Sequence, residues 1–139
     1  MVYNDRVRVA MGVANSLHAN QYDKGGYPYI HHLMHVAEQF DTTDEVVVAL
    51  LHDSIEDYGE YALQLLRSNN ISANCIEAIL ALTRMEGETY DIYIDRVSNN
   101  KLAMRVKVED LKHNLDASRH PINSSLIVRY TKALSKLSK

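Results

Sequence analysis

Apolar residues recur at helical spacing through almost the whole chain, and this pattern limits the folds that it can adopt. The sequence contains two prolines and five glycines, so few positions interrupt a helix. No alternating apolar and polar segment is bounded by the turn residues of a hairpin. The pattern therefore predicts an all-α fold of about eight helices.

Residues with strong positional preferences indicate where these helices begin. Asn4, Ser72 and Asn100 are placed as N-caps, and Thr42 followed by Glu45 has the pattern of a capping box. The capping box predicts a third helix that starts near residue 43 and continues through LLHDSIED, residues 50–57. Pro28 and Pro121 are expected as the first residues of the second and eighth helices.

Length and charge indicate a single domain and exclude several kinds of partner. The 139 residues contain no internal repeat or linker, so one domain over residues 1–139 is expected. The net charge of −3, without a basic cluster, argues against nucleic-acid binding. No apolar stretch approaches the ~20 residues that span a bilayer. A single cysteine, Cys75, and an N-terminus unlike a signal peptide predict a cytoplasmic location, whereas the oligomeric state is not indicated.

Charged groups interrupt the most apolar run of the chain. Residues 46–51 are all apolar, but His52 and Asp53 follow directly, and Glu56 and Asp57 come soon afterwards. On one continuous helix these four side chains would share a broad face. Carboxylates in apolar surroundings become neutral or find a partner, often a metal ion. Taken singly, a hydrogen-bonded core histidine and a surface acid would be the more common explanation.

Further metal ligands would have to come from other segments. His31, His32 and His35 lie close together, and spacing alone does not choose among them, because His31 and His35 are one helical turn apart. Asp110 interrupts a second apolar pattern beside Lys107. This acid is either half of a surface ion pair or a metal-binding carboxylate.

Three ordered segments resemble motifs of the HD-domain metal-dependent phosphohydrolases, an all-α superfamily. They are QYDKGGYPYIHHLMHVA, ALLHDSIED and VKVEDLKHNL. The first resembles a segment in which Gln, a basic turn, Gly and Pro-Tyr-Ile precede a metal-binding His. The second resembles His-Asp-x-x-Glu-Asp, and the third resembles Val-Lys-x-x-Asp-x-x-His-Asn. Together they are most similar to the small stand-alone alarmone hydrolases of the RelA/SpoT homologue family, which remove pyrophosphate from the 3′ position of (p)ppGpp with Mn²⁺.

The resemblance implies a single HD-domain helical bundle and a set of metal ligands. In the family motif one variable residue separates Pro-Tyr-Ile from the ligand, which implies His32 and leaves His31 in the variable place. The implied ligands of one divalent ion are His32, His52, Asp53 and Asp110. Two imidazoles and two carboxylates suit Mn²⁺ better than a structural zinc ion.

The resemblance also implies roles for residues that need not bind the metal. Glu56 and Asp57 match the acidic pair that activates water or protonates the leaving oxygen. Lys24 matches a basic residue that meets the nucleotide, and Asn114 matches a residue near the ribose. The expected partner is therefore a small-molecule nucleotide.

The chain departs from the family pattern mainly where the base would bind. Asp23 stands where the long alarmone enzymes have an Arg that packs on guanine, and Ala117 replaces a Thr near the base. Leu33 and Tyr58 replace a usual Pro and a common Thr. The sequence thus predicts a (p)ppGpp 3′-pyrophosphohydrolase. The alternatives are a hydrolase of another nucleotide, such as a dNTP or a nucleoside monophosphate, and a metal-free module that senses a nucleotide.

Overall fold

Eight α-helices form the fold in the computed structural model, which describes residues 1–138. Within these residues no strand is present, and the one isolated β-bridge joins Tyr22 to Pro28. The prediction of an all-α fold with eight helices is confirmed. The helices are α1 (Asp5–His18), α2 (Ile30–Ala37), α3 (Thr43–Leu51), α4 (Ser54–Ser68), α5 (Ala73–Ala81), α6 (Tyr90–Ser98), α7 (Lys101–Asn114) and α8 (Ser124–Leu137).

Helix α3 lies at the centre of the core. It packs against α1, α2, α5 and α7. Residues 46–51 are all buried, with at most 1% of any of them exposed. A helix that is apolar on every side has to be surrounded by other elements, and the neighbours of α3 meet that requirement. The end of this central helix is consequently one of the most enclosed places in the molecule.

Most of the predicted caps form as expected. The side chains of Asn4, Ser72 and Asn100 each accept a hydrogen bond from a backbone N–H in the first turn of the helix that follows. Thr42 precedes α3 as predicted, but its hydroxyl donates to the Glu45 carboxylate at 2.5 Å and does not cap a backbone N–H. The starting point of α3 was therefore predicted correctly, although the hydrogen bonding differs from a capping box.

Two predicted helix starts at proline are wrong. Pro28 lies opposite Tyr22 in the β-bridge, so α2 begins only at Ile30. At the other end of the chain, Asn123 is extended, and its side chain accepts a hydrogen bond from a first-turn N–H, so α8 begins after it and not at Pro121. A capping side chain and a backbone pairing outweigh the preference of proline for the first helical position.

The prediction of one continuous helix through LLHDSIED is also wrong. Helix α3 ends at Leu51, and a turn at His52 and Asp53 separates it from α4. Two side chains satisfy carbonyls at the end of α3: His52 Nδ1 donates to the Ala49 oxygen and Ser54 Oγ to the Leu51 oxygen, both at 2.6 Å. His52 and Asp53 therefore emerge from a tight corner between two helices.

Helix α4 bends sharply near its start. Gly59 has φ 59° and ψ −139°, which residues with a Cβ rarely adopt. The first turn of α4 is thereby separated from the longer part that follows.

Among the helices of residues 1–138, none combines the length and the apolar composition needed to cross a membrane.

Candidate metal centre and adjoining cavities

Four side chains from three parts of the fold meet at the end of α3. His32 comes from α2, His52 and Asp53 from the corner after α3, and Asp110 from α7. Asp110 Oδ1 lies 2.9 Å from His32 Nε2 and 3.3 Å from His52 Nε2. His52 Nε2 is also 3.3 Å from Asp53 Oδ2. The structure thus brings together all four residues of the implied ligand set.

The donor atoms of this cluster fit a divalent cation. One ligand atom each of His32, His52 and Asp53 lies within 4.8 Å of the others. Because His52 Nδ1 donates to a carbonyl, Nε2 is the nitrogen that offers a lone pair to a metal ion once the ring has lost its second proton. This Nε2 is buried and has no hydrogen-bond partner among the described residues, since its two 3.3 Å approaches lack hydrogen-bond geometry. Such an atom costs about 1–3 kcal/mol unless an ion or another partner satisfies it.

The environment of His52 favours positive charge. Burial alone would lower the pKa of its imidazole, but the charges of Asp53 and Asp110 outweigh burial and raise it to about 9. The same carboxylates that attract a proton would attract a metal cation.

The two neighbouring histidines lie outside the cluster. His31 and His35 are exposed, whereas His32 is 2% exposed and faces the carboxylates. His35 stacks on His113, with the ring centroids 3.8 Å apart. Of these three histidines, the structure therefore places His32 beside the carboxylates of the cluster.

His113 fixes the orientation of His32, and the sequence did not indicate this role. The Nδ1 atoms of the two rings are 2.8 Å apart. Burial and the neighbouring imidazoles of His32 and His35 lower the pKa of His113 to about 4, so His113 is neutral and its Nδ1 can accept the proton of His32 Nδ1. This arrangement leaves His32 Nε2 free for a metal. The signals in the sequence were its match to the His of the Val-Lys-x-x-Asp-x-x-His-Asn motif and its position one turn after Asp110.

Asp110 is held by a buried ion pair, so its interpretation as half of a surface pair is wrong. Its Oδ2 accepts a hydrogen bond from Lys107 Nζ at 2.8 Å, and the two side chains are only 5% and 12% exposed. Asn114 Nδ2 donates to Oδ1 at 3.2 Å. Burial would raise the pKa of Asp110, but Lys107 and the adjacent imidazoles hold it well below its usual range. The carboxylate therefore stays ionised.

Asp53 has a donor of its own that sequence reasoning also missed. Tyr29 OH donates to Asp53 Oδ2 at 2.5 Å. Burial and the nearby Asp53 charge raise the pKa of Tyr29, so the phenol remains a hydrogen-bond donor. The Pro-Tyr-Ile segment contains this tyrosine, but the pattern gave no indication of its partner.

Glu56 and Asp57 lie in the first turn of α4 and not at the end of α3. Each is held through one oxygen: Glu56 Oε2 accepts from the Arg84 backbone N–H at 2.8 Å, and Asp57 Oδ2 accepts from Gln21 Nε2 at 3.0 Å. Desolvation raises the pKa of both, and the charge of Asp53 adds to it. The protonated form of each acid is therefore favoured more than in a solvent-exposed carboxylate.

Gln21 connects Asp57 to two further side chains. Its Oε1 accepts from His18 Nδ1 at 2.7 Å and from Tyr58 OH at 2.8 Å, while its Nε2 donates to Asp57. Gln21 was part of the motif match, but only the structure shows what it contacts.

Two cavities adjoin the cluster and share Arg119 in their walls. The larger, of about 580 Å³, is lined by His32 and His113 among others. The smaller, of about 290 Å³, is lined by both predicted substrate-binding residues, Lys24 and Asn114. We refer to this smaller space as the Lys24 cavity.

Comparison with known proteins places most of the chain within a much longer type of protein. No protein-family model matches it. A probable GTP pyrophosphokinase of Mycobacterium leprae is 32% identical over 126 residues, which cover 81% of this chain and 16% of the relative. The bifunctional (p)ppGpp synthase/hydrolase RelA of Mycobacterium tuberculosis is 33% identical over 122 residues, 79% of this chain and 16% of the relative. These matches link the chain to one segment of RelA-type proteins.

Proposed function

We propose that this chain is a metal-dependent hydrolase that removes pyrophosphate from the 3′ position of (p)ppGpp, leaving GDP or GTP. One observation carries the proposal: two imidazoles and two carboxylates meet around the partnerless Nε2 of His52. The name of the bifunctional relative supports a (p)ppGpp substrate, because it includes both synthesis and hydrolysis of this nucleotide.

The four clustered residues, His32, His52, Asp53 and Asp110, would hold one divalent ion, for which Mn²⁺ is our candidate. Imidazole and carboxylate ligands suit such an ion. When bound, it would lower the pKa of a water molecule and offset the charge of a phosphate group.

The protein's own groups would manage the protons of the reaction. Glu56 and Asp57 are each fixed through one oxygen, which leaves the second oxygen available. Because the pKa of both acids is raised, one can accept a proton from the attacking water and the other can donate one to the leaving oxygen. Lys107 and Tyr29 keep the carboxylates of Asp110 and Asp53 in place during these steps.

A direct assay distinguishes this proposal from hydrolysis of another nucleotide. The full chain is incubated with Mn²⁺ and, separately, ppGpp, dGTP, dATP and AMP, and the products are identified by mass. We expect GDP and pyrophosphate from ppGpp. Products formed only from the dNTPs or the monophosphate would overturn the proposal in favour of the second function, which the acid at Asp23 keeps open.

The assay also has to address synthesis, because the Mycobacterium leprae relative is named as a pyrophosphokinase. Incubation with GTP and ATP is therefore included, and we expect no pppGpp to form. Formation of pppGpp without any hydrolysis of ppGpp would contradict the proposal.

A further inference from the structure

Two loops that are far apart in sequence are joined at the Lys24 cavity by a buried ion pair. Asp23 Oδ2 lies 3.1 Å from Arg119 Nε, and the two side chains are 6% and 8% exposed. Most ion pairs at a protein surface are more exposed and contribute little. This pair therefore fixes where Arg119 points.

Asp23 also shapes its own loop. Its Oδ1 accepts hydrogen bonds from the backbone N–H groups of Gly25 and Tyr27, at 2.9 and 3.0 Å. A Cβ at Gly25 would overlap the carbonyl oxygen of Arg119, so the two loops can approach this closely only because residue 25 is glycine. The loop that contains Asp23 and Gly25 and the loop that contains Arg119 therefore pack together as one structural unit.

Arg119 is also connected to the candidate metal centre. Its Nη1 donates to Asn114 Oδ1 at 2.6 Å, and Asn114 Nδ2 donates to Asp110 Oδ1 at 3.2 Å. A continuous series of hydrogen bonds therefore runs from Asp23 to a candidate metal ligand. A group bound at Arg119 would have a defined position relative to the reacting phosphate.

One edge of the Arg119 guanidinium remains available. A guanidinium has five N–H donors, and Asp23 and Asn114 engage Nε and Nη1. Nη2 has no hydrogen-bond partner among residues 1–138, and Nη1 keeps a second N–H besides the one that it donates to Asn114. The Nη1–Nη2 edge of arginine can donate two parallel hydrogen bonds, and the side chain lines the Lys24 cavity.

The other walls of the Lys24 cavity suit a nucleotide base. Tyr22 and Tyr130 supply aromatic rings and Leu126 an apolar surface, whereas Lys24 supplies a cation for phosphate. Because Asp23 already neutralises the charge of Arg119, the free edge offers directed donors more than net charge. Directed donors discriminate between bases, whereas unpaired charge mainly attracts phosphate.

We propose that Arg119 is the residue with which this chain reads guanine, and that Asp23 and Gly25 are its positioning residues. The free edge donates to O6 and N7 of guanine, the commonest specific contact of arginine with a base. Adenine presents N6 hydrogens in place of O6 and is rejected. The inference rests on the proposed function only in taking a nucleotide as the ligand.

The decisive experiment measures binding without turnover. Calorimetry with GDP and with ADP, in the presence of Mn²⁺, is performed on the full chain and on Arg119→Gln. We expect the unmodified chain to prefer GDP by roughly tenfold or more, and the variant to lose this preference. Arg129→Gln removes an exposed arginine from α8 and is the matched control, in which the preference should persist.

Three results would overturn the inference. They are equal affinity for GDP and ADP in the unmodified chain, no measurable binding of GDP, and an equal loss of both affinities in Arg119→Gln, which would make Arg119 a phosphate contact. None depends on catalysis. A chain that fails to hydrolyse ppGpp but selects GDP through Arg119 would refute the proposed function and support this inference.

The positioning residues are tested separately. Gly25→Ala removes no charged group but forces the loops apart, so it should reduce the preference for GDP while metal content stays unchanged. Gly12→Ala is the matched control, because a Cβ there meets nothing within 4 Å. Asp23→Asn should act as Gly25→Ala does. An undiminished preference in both variants would contradict the positioning role.

Discussion

The candidate metal centre and the Lys24 cavity are adjacent, but the fold builds them differently. The metal centre is formed by two helices and a corner directly after the central helix, and His32, His52 and Asp110 are at most 3% exposed. The cavity is formed largely by two loops joined through Asp23 and Arg119. Rigid helices suit chemistry that tolerates little displacement, and loops suit recognition that changes between relatives.

The motif resemblance follows the same division. All the implied metal ligands and both acids are present, and the departures at Asp23 and Ala117 lie on the loop side. Two further departures, Leu33 and Tyr58, lie on helices α2 and α4 but replace none of the implied ligands or acids. Under the proposed function, the reaction type and the base preference could therefore change independently. Each prediction below tests whether the two regions are as separate as the structure indicates.

The largest effect is expected from Asp110→Ala. This change removes a candidate ligand and leaves Lys107 buried without its partner, which we expect to cost about 3–5 kcal/mol of unfolding free energy. Elemental analysis should show loss of metal, and urea unfolding should show the destabilisation.

The double variant Lys107→Met/Asp110→Leu separates these two effects. We expect it to recover stability, because both charges are gone, but not metal. If the double variant bound a full equivalent of metal, Asp110 would not be a ligand.

The second-largest effect is expected when either acid, Glu56 or Asp57, is replaced. Glu56→Gln and Asp57→Asn should lower turnover of ppGpp roughly 10²-fold or more, while metal content and the preference for GDP stay the same. The reason is that each side chain is fixed through one oxygen and lies outside the ligand cluster, as the proposed proton transfer requires. Steady-state kinetics measures the turnover, and elemental analysis measures the metal content. Normal turnover in both variants would show that Glu56 and Asp57 are surface acids without a catalytic role.

A smaller effect is expected when His113, the hydrogen-bond partner of the candidate ligand His32, is replaced. His113→Phe preserves a ring against His35 but removes the acceptor for His32, so metal affinity should fall roughly 10- to 100-fold. Competition with a metal-binding dye measures the affinity. His31→Ala is the control, because this exposed imidazole lies outside the cluster, and a larger loss in the control than in His113→Phe would contradict the arrangement.

The smallest effect is expected from an ion pair outside both regions. Hydrogen bonds from Arg96 and from the Met85 N–H lower the pKa of Glu88 from an ordinary value of 4.5 to about 2. The stabilisation is therefore fully present above about pH 4.5 and disappears as the pH falls toward 2. Glu88→Gln should destabilise the protein slightly at pH 7 and not at pH 2. Thermal unfolding measured across this pH range checks the prediction. A loss of stability in the variant that is the same at pH 2 as at pH 7 would contradict it.

The sequence predicted much of the fold because helix signals are local. Asn4, Ser72 and Asn100 cap helices as their positions indicated, since a cap depends on a few neighbouring residues. The end of α3 was missed because no proline or glycine follows Leu51 before Gly59. What ends the helix is the hydrogen bonding of the His52 and Ser54 side chains, which periodicity does not reveal.

The residues of the candidate site also differ in how well the sequence predicts that they lie together. Residues that share a segment, such as His52 and Asp53, could be grouped from the sequence. Asp23 and Arg119 are 96 residues apart, and no local pattern around either residue indicates that they meet. Pairings of this kind depend on tertiary packing, and the structure is needed to find them.

The two imidazoles of the cluster differ in how easily mutation could disturb them. The partner of His52 Nδ1 is the backbone carbonyl of Ala49, which every amino acid at that position would supply. The partner of His32 Nδ1 is a side chain, His113, which a single codon change can remove. During divergence, the tautomer of His52 is therefore protected for as long as α3 folds, whereas that of His32 must be maintained by selection at a second site.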